Sequence, residues 1–390
     1  MKEFDLCIPT KILYGTGRVA EIGTAVSEYG KTALLITYSE QETEKIGALP
    51  GVLGALEKEG IKPFILFGVK SNPSVQLARE AIEIARRERI EVIVALGGGS
   101  VIDTAKCVAA GMFYDGDVWD LFEYNVQIHK ALPIVTVVTM PASSSEMNCG
   151  LVMDHDSMKR KQAYVNKLLY PKISILDPEL TYKIPIRQTA YSAVDIVSHL
   201  LEAYISHTVS FAPMQNHYAE GMIKTIMECM ARIMKDNQDI EARASFMWAA
   251  TYAWNGFYSC GLGMFDQPIH LVGHVFSAYY DTPHGAAMAI TIPAVMRYTI
   301  HEKTYRFAEL ARNVFSITET DDEKAAERCI ELFIEWIEGM GVATNMVDAG
   351  IPTDKLSEMA ENIYQTSIQI GYGQYYTLEK CKDLLALCVK

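Results

Sequence analysis

Histidine is scarce in this chain, with nine among 390 residues, and positive charge is in deficit, 35 Lys and Arg against 48 Asp and Glu. A net charge of -13 with no basic cluster argues against phosphate neutralisation, and so against a nucleic-acid partner. The N-terminal MKEFDLCIPTKILYG lacks the apolar stretch of a secretory signal. Long apolar runs are missing too: ALPIVTVVTMPA is too short to cross a bilayer and reads as a buried strand. The eight cysteines show no C-x-x-C spacing, which argues against a disulfide framework or a Cys-rich zinc site. Free thiols in a reducing cytoplasm, with no membrane partner, are the expectation.

What is present is a soluble globular composition, 49% hydrophobic and 21% charged, long enough for two domains. In the first half, TALLIT (32–37), KPFILF (62–67), EVIVAL (91–96) and LPIVTVVT (132–139) read as buried strands. Between them, LPGVLGALEKEG and SVQLAREAIEIARRER carry helical spacing with a charged outer face. This alternation predicts βαβ units on a parallel, doubly wound sheet, whose ligands bind at the carboxyl ends of the strands. After YPKISILDPELTYKIP the pattern turns helical, as in RQTAYSAVDIVSHLLEAYIS. The expected division is an α/β domain over residues 1–185 and an all-helical domain over 186–390.

EVIVALGGGSVIDTAK reads as a strand, then Gly97, Gly98, Gly99 and Ser100, then a helix. Glycines let the backbone approach a bulky anion, and the helix start offers free amides and a positive dipole end. Three in a row exceed what a bare turn needs, so a pyrophosphate site is expected. GTGRVAEIG (15–23) misplaces its third glycine for a dinucleotide fingerprint and reads as a turn before a helix. In TVVTMPASSSEMN, Thr139 and Ser143 to Ser145 follow a strand, where hydroxyls either contact a nucleotide or cap the next helix.

Three of the nine histidines fall within IHLVGHVFSAYYDTPHG: His270, His274 and His284. His270 and His274 are four residues apart, as are Asp195 and His199 in AVDIVSHLLEAY. On a helix that spacing stacks two side chains on one face, about 6 Å apart. A lone pair of this kind is usually a salt bridge or a cap; two pairs and a Pro-His-Gly turn make a divalent-metal site an equal reading.

Together these motifs resemble the iron-containing (group III) alcohol dehydrogenases, closest to the NAD(P)H-dependent butanol dehydrogenase branch. GGGSVIDTAK is similar to the family's GGGSxxDxAK, DIVSHLLE to its D-x-x-x-H-x-x-E, and HLVGH…PHG to its H-x-x-x-H…H-G. The resemblance spans nearly the whole chain. It implies a dinucleotide-binding α/β domain, an all-α metal-binding domain of the dehydroquinate synthase-like kind, and an active site between them. By position, Asp195, His199, His270 and His284 would hold Fe2+ or Zn2+, while His274 would pass a proton. Gly98, Gly99 and Ser100 would cradle the pyrophosphate with Asp103 close by; Thr139 and Ser143 would contact the nucleotide, and Lys161 the ribose region.

Two departures stand out. Tyr38, in TYSEQETEK, occupies the position where the family carries an Asp or a glycine-rich loop, and Glu40 and Glu42 follow. Carboxylates there would repel a 2′-phosphate, so NAD is expected over NADP. The family's TTAGTGSE reads TMPASSSE, which removes two glycines. The implied activity is interconversion of a primary, butanol-like alcohol and its aldehyde by a homodimer. Phe257, Tyr258 and Phe265 would line an apolar pocket or serve as core. The alternatives are a dehydroquinate synthase-like or glycerol dehydrogenase-like enzyme, or a non-catalytic nucleotide-binding protein.

Overall fold

The structure is a computed structural model that describes residues 1–123, 126–263 and 265–390. Six strands form one parallel sheet: β1 (Lys11–Tyr14), β2 (Thr32–Tyr38), β3 (Lys62–Val69), β4 (Val92–Gly98), β5 (Ile134–Met140) and β8 (Ile173–Leu176). Their order across the sheet is β1-β8-β5-β4-β2-β3. The four expected strands are β2 to β5. β6 (Gly150–His155) and β7 (Arg160–Val165) form a separate antiparallel hairpin that sequence periodicity did not signal.

The apolar runs are nearly continuous because both faces of the sheet are covered. Ala33, Leu35, Val92, Val94, Val135 and Val137 point into one core. Their neighbours Leu34, Ile36, Ile93, Ala95, Ile134 and Val138 point into the other. With β5, β4 and β2 adjacent, the carboxyl ends of these strands bring Met140, Gly98 and Tyr38 into one row.

Helix Ile186–Ser206 is the spine of the helical unit, buried almost without break from Thr189 to Ile205. Helices Pro213–Ile233, Pro268–Tyr280 and His284–Phe315 pack around it. No helix among the described residues is long and apolar enough to cross a membrane.

The division at residue 185 needs correction in two places. The compact units are Cys7–Pro185 with Asp236–Asn255, and Met1–Leu6 with Ile186–Lys235 and Gly256–Lys390. Helix Ile240–Ala253 belongs with the sheet because polar groups tie it there. Thr251 Oγ1 donates to the Glu146 carboxylate (2.7 Å), and Ser144 Oγ accepts from Trp254 N (2.8 Å). At the other end, Lys2 N donates to Gly261 O (2.9 Å), holding the first residues to the helical unit.

Candidate metal centre and nucleotide loop

In helix Ile186–Ser206, Asp195, His199 and Glu202 follow at i, i+4 and i+7 and so share one face. All three are buried, at 4%, 7% and 1% exposure. Helix Pro268–Tyr280 presents His270 to them, and His284 opens helix His284–Phe315. Asp195 Oδ1 lies 3.9 Å from His199 Nδ1, 3.7 Å from His270 Nε2 and 3.3 Å from His284 Nε2. Asp195, His199 and His270 each offer a ligand atom within 4.8 Å of the others. His274 meets the group by ring contact, its centroid 6.1 Å from that of His270 and 5.6 Å from that of His284.

The electrostatics are those of a cation site. Burial pulls the Asp195 carboxyl upward, but His199, His284 and His270 outweigh it and hold Asp195 well below the usual carboxylate range. Burial pushes His199 down to about 3, which keeps its imidazole neutral. Burial lowers His270 too, but the Asp195 and Glu202 carboxylates outweigh it and raise it to about 9, so a metal binding there displaces a proton. Asp195 Oδ1 and His270 Nε2 are buried, and neither makes a hydrogen bond of ordinary geometry. Orphaned buried polar atoms are costly, and a divalent ion with nitrogen and oxygen ligands would satisfy both. The residues fit such an ion.

The glycine loop lies at the carboxyl end of β4. Gly98 stands at the N-terminus of helix Gly99–Gly111 without a side-chain cap, so first-turn amides remain available. These glycines are required by close approach. A Cβ on Gly99 would lie 2.4 Å from Ser143 Oγ, and one on Gly98 would lie 2.9 Å from both the Tyr38 hydroxyl and Met140 O. Tyr38 reaches the loop from β2, and its hydroxyl accepts from Gly98 N at 2.8 Å. Thr139 Oγ1 is buried beside this edge with no hydrogen-bond partner. An uncapped helix start, a packed glycine turn and an orphaned hydroxyl fit a dinucleotide phosphate.

The remaining expected cofactor residues are engaged within the protein. Asp103 accepts from Ser145 Oγ (2.6 Å) and Val152 N (2.9 Å). Lys161 Nζ donates to Asn72 Oδ1 at 2.7 Å and sits 3.8 Å from Asp154 Oδ1 across the hairpin. Ser143 Oγ accepts from Ser145 N at 3.3 Å. Tyr258 is core: it is 3% exposed, and its hydroxyl donates to Leu200 O. Phe257 and Phe265 are half-buried.

Residues 9–178 match the iron-containing alcohol dehydrogenase family, and residues 189–387 match the C-terminal domain of the Fe-containing alcohol dehydrogenase family. The chain belongs to the iron-containing alcohol dehydrogenases. It is 35% identical over 390 residues to a probable NADH-dependent butanol dehydrogenase 1 of Bacillus subtilis, covering 99% of each chain. It is 30% identical over 383 residues to the NADPH-dependent aldehyde reductase YqhD of Escherichia coli, covering 97% of each. The crystal structure of NADH-dependent butanol dehydrogenase A from Thermotoga maritima superposes with a TM-score of 0.95 at 36% identity, covering 100% of this chain and 99% of that one.

In this iron-containing alcohol dehydrogenase, sequence reasoning left two contributors without a role. Glu202, the last residue of DIVSHLLE, contacts His270, and its i+7 spacing from Asp195 was the available signal. Gly285 acts through space: a Cβ there would lie 2.2 Å from Tyr191 O, one turn before Asp195. Only glycine lets helix His284–Phe315 start against that backbone, which brings His284 to Asp195. Gly285→Ala is expected to destabilise the protein by about 1–3 kcal/mol through overpacking. A lower denaturant midpoint with unchanged slope would show it; an unchanged midpoint would mean that the helices part freely.

Proposed function

We propose that this chain reduces a butanol-like primary aldehyde with NADH, and runs the reverse oxidation, using Fe2+ held by Asp195, His199, His270 and His284. Its family interconverts alcohols and aldehydes with NAD(P); the substrate, the metal, the coenzyme preference and the residue roles are our reading. The observation that carries it is the convergence of three imidazoles on the buried Asp195 carboxylate. A ferrous or zinc ion in such a site supplies Lewis acidity toward an alcohol or aldehyde oxygen. A nicotinamide coenzyme takes or gives the hydride, so alcohol and NAD+ yield aldehyde, NADH and one proton.

The protein's own groups do the rest. Gly98, Gly99 and Ser100 hold the pyrophosphate at the helix start, with Thr139 and Ser143 beside it. Asp103 and Lys161 fix the surrounding backbone and hairpin. His274, next to His284 but half-buried, carries the alcohol's proton away. Glu40 and Glu42 lie in the first turn of helix Glu40–Ile46, directly after Tyr38. Two carboxylates there disfavour a 2′-phosphate by roughly tenfold at low salt. The eight free cysteines suit a reducing cytoplasm, and family likeness favours a homodimer.

Purification under anaerobic conditions, metal analysis, and an aldehyde panel run with both NADH and NADPH test this reading. We expect about one metal per chain, as one shared site allows, steady consumption of NADH with butyraldehyde, and slower NADPH oxidation at equal concentration. Faster NADPH oxidation would overturn the coenzyme preference. Absence of net cofactor turnover would favour a dehydroquinate synthase-like cyclisation.

A further inference from the structure

We infer that Glu202 is a positioning residue that sets the orientation and tautomer of His270 for the metal. Its Oε1 accepts two hydrogen bonds, both from that residue: one from His270 N at 2.8 Å and one at the His270 Nδ1 position, 3.0 Å away. The first fixes the backbone in the opening turn of helix Pro268–Tyr280, where His270 N has no partner within the helix. The second holds the proton on Nδ1 and turns Nε2 toward Asp195, 3.7 Å away. Oε2 of Glu202 is buried without a hydrogen-bond partner, so the hydrogen bonding of this carboxylate is spent on His270 alone. Glu202 lies two turns from Asp195 in helix Ile186–Ser206, so one rigid helix carries both the facing carboxylate and the group that aims the ring at it. A carboxylate behind a ligating imidazole makes the nitrogen more basic and reduces its freedom.

The inference rests on the proposed metal site, and the test separates the two. Zn2+ and Co2+ affinities are measured on metal-free protein by chelator competition, with the Co2+ absorption spectrum as a report on geometry. Circular dichroism and NADH titration serve as fold controls. Glu202→Ala is expected to weaken metal binding by roughly 10–100-fold. Glu202→Asp, one methylene short of reaching both donors, is expected to weaken it about tenfold at unchanged net charge. Glu202→Gln keeps an accepting oxygen in place and should restore most of the affinity and the wild-type spectrum. If Glu202→Ala does not fold, the Asp and Gln variants carry the comparison. Wild-type affinity in Glu202→Asp overturns the inference. Equal metal binding by the wild type and Asp195→Ala would instead overturn the metal site itself.

Discussion

His274→Ala is expected to keep its metal and to lose at least about a hundredfold in turnover, on the order of the effect of removing a general acid–base group. Asp195→Ala, His199→Ala and His284→Ala, by contrast, are expected to be purified without metal. Spacing within the segment alone pairs His270 with His274, because four residues on a helix stack two rings on one face. His270 Nε2 and His284 Nε2 stand 3.7 and 3.3 Å from Asp195 Oδ1, whereas His274 touches the cluster through ring contacts with centroids more than 5 Å apart. Removing any of the four converging groups would take one ligand atom from the site. His274 is half-buried, and its loss vacates a position beside the cluster. Metal content by atomic emission, set against kcat for the same preparation, checks the expectation. Loss of metal from His274→Ala would place it among the ligands; retention in His284→Ala would remove His284.

The sheet was legible wherever burial imposes a pattern. β2, β4 and β5 are covered on both faces and read as unbroken apolar runs, whereas β3 is a half-exposed edge strand whose KPFILF is apolar all the same. β1 and β8, four residues each, are too short to carry a period, and β7, RKQAYV, has no clean alternation. The return of Asp236–Asn255 to the sheet was not legible, because it depends on polar ties such as Thr251 to Glu146 between distant parts of the chain. At the site, helix-face spacing exposed Asp195 with His199 and would have exposed Glu202. The requirement for Gly285 arises only when another helix's backbone is already in place. Close approach has no local pattern.

Lys106→Met is expected to cost about 3–5 kcal/mol and to abolish NADH binding while leaving the metal site loaded. Lys106 is fully buried, and its ammonium donates to Ser145 Oγ (2.8 Å), Asn148 Oδ1 (3.0 Å) and Gly150 O (2.7 Å). Asp103 lies one turn earlier in the same helix and accepts from Ser145 Oγ and Val152 N. Together they clamp the Ser143–Asn148 stretch and β6 to the helix that begins at the glycine loop. Burial pushes Lys106 down to about 8 despite Asp103, and burial raises Asp103 despite Lys106. For both partners desolvation outweighs attraction, so the pair is a device for placement rather than a source of stability. Two consequences follow from that sign. The double variant Lys106→Met/Asp103→Asn should recover much of the lost stability, because no lone buried charge remains, yet should still bind NADH poorly. Between pH 8 and 10.5 the folded protein has released the Lys106 proton while the unfolded chain still holds it, so this group's contribution to stability rises with pH across that window. The rise should vanish in Lys106→Met. Denaturant titrations of the four chains of this cycle at pH 7.5 and 9.5, with NADH affinity by fluorescence, measure both; additive losses in the double variant would mean that the two groups act independently.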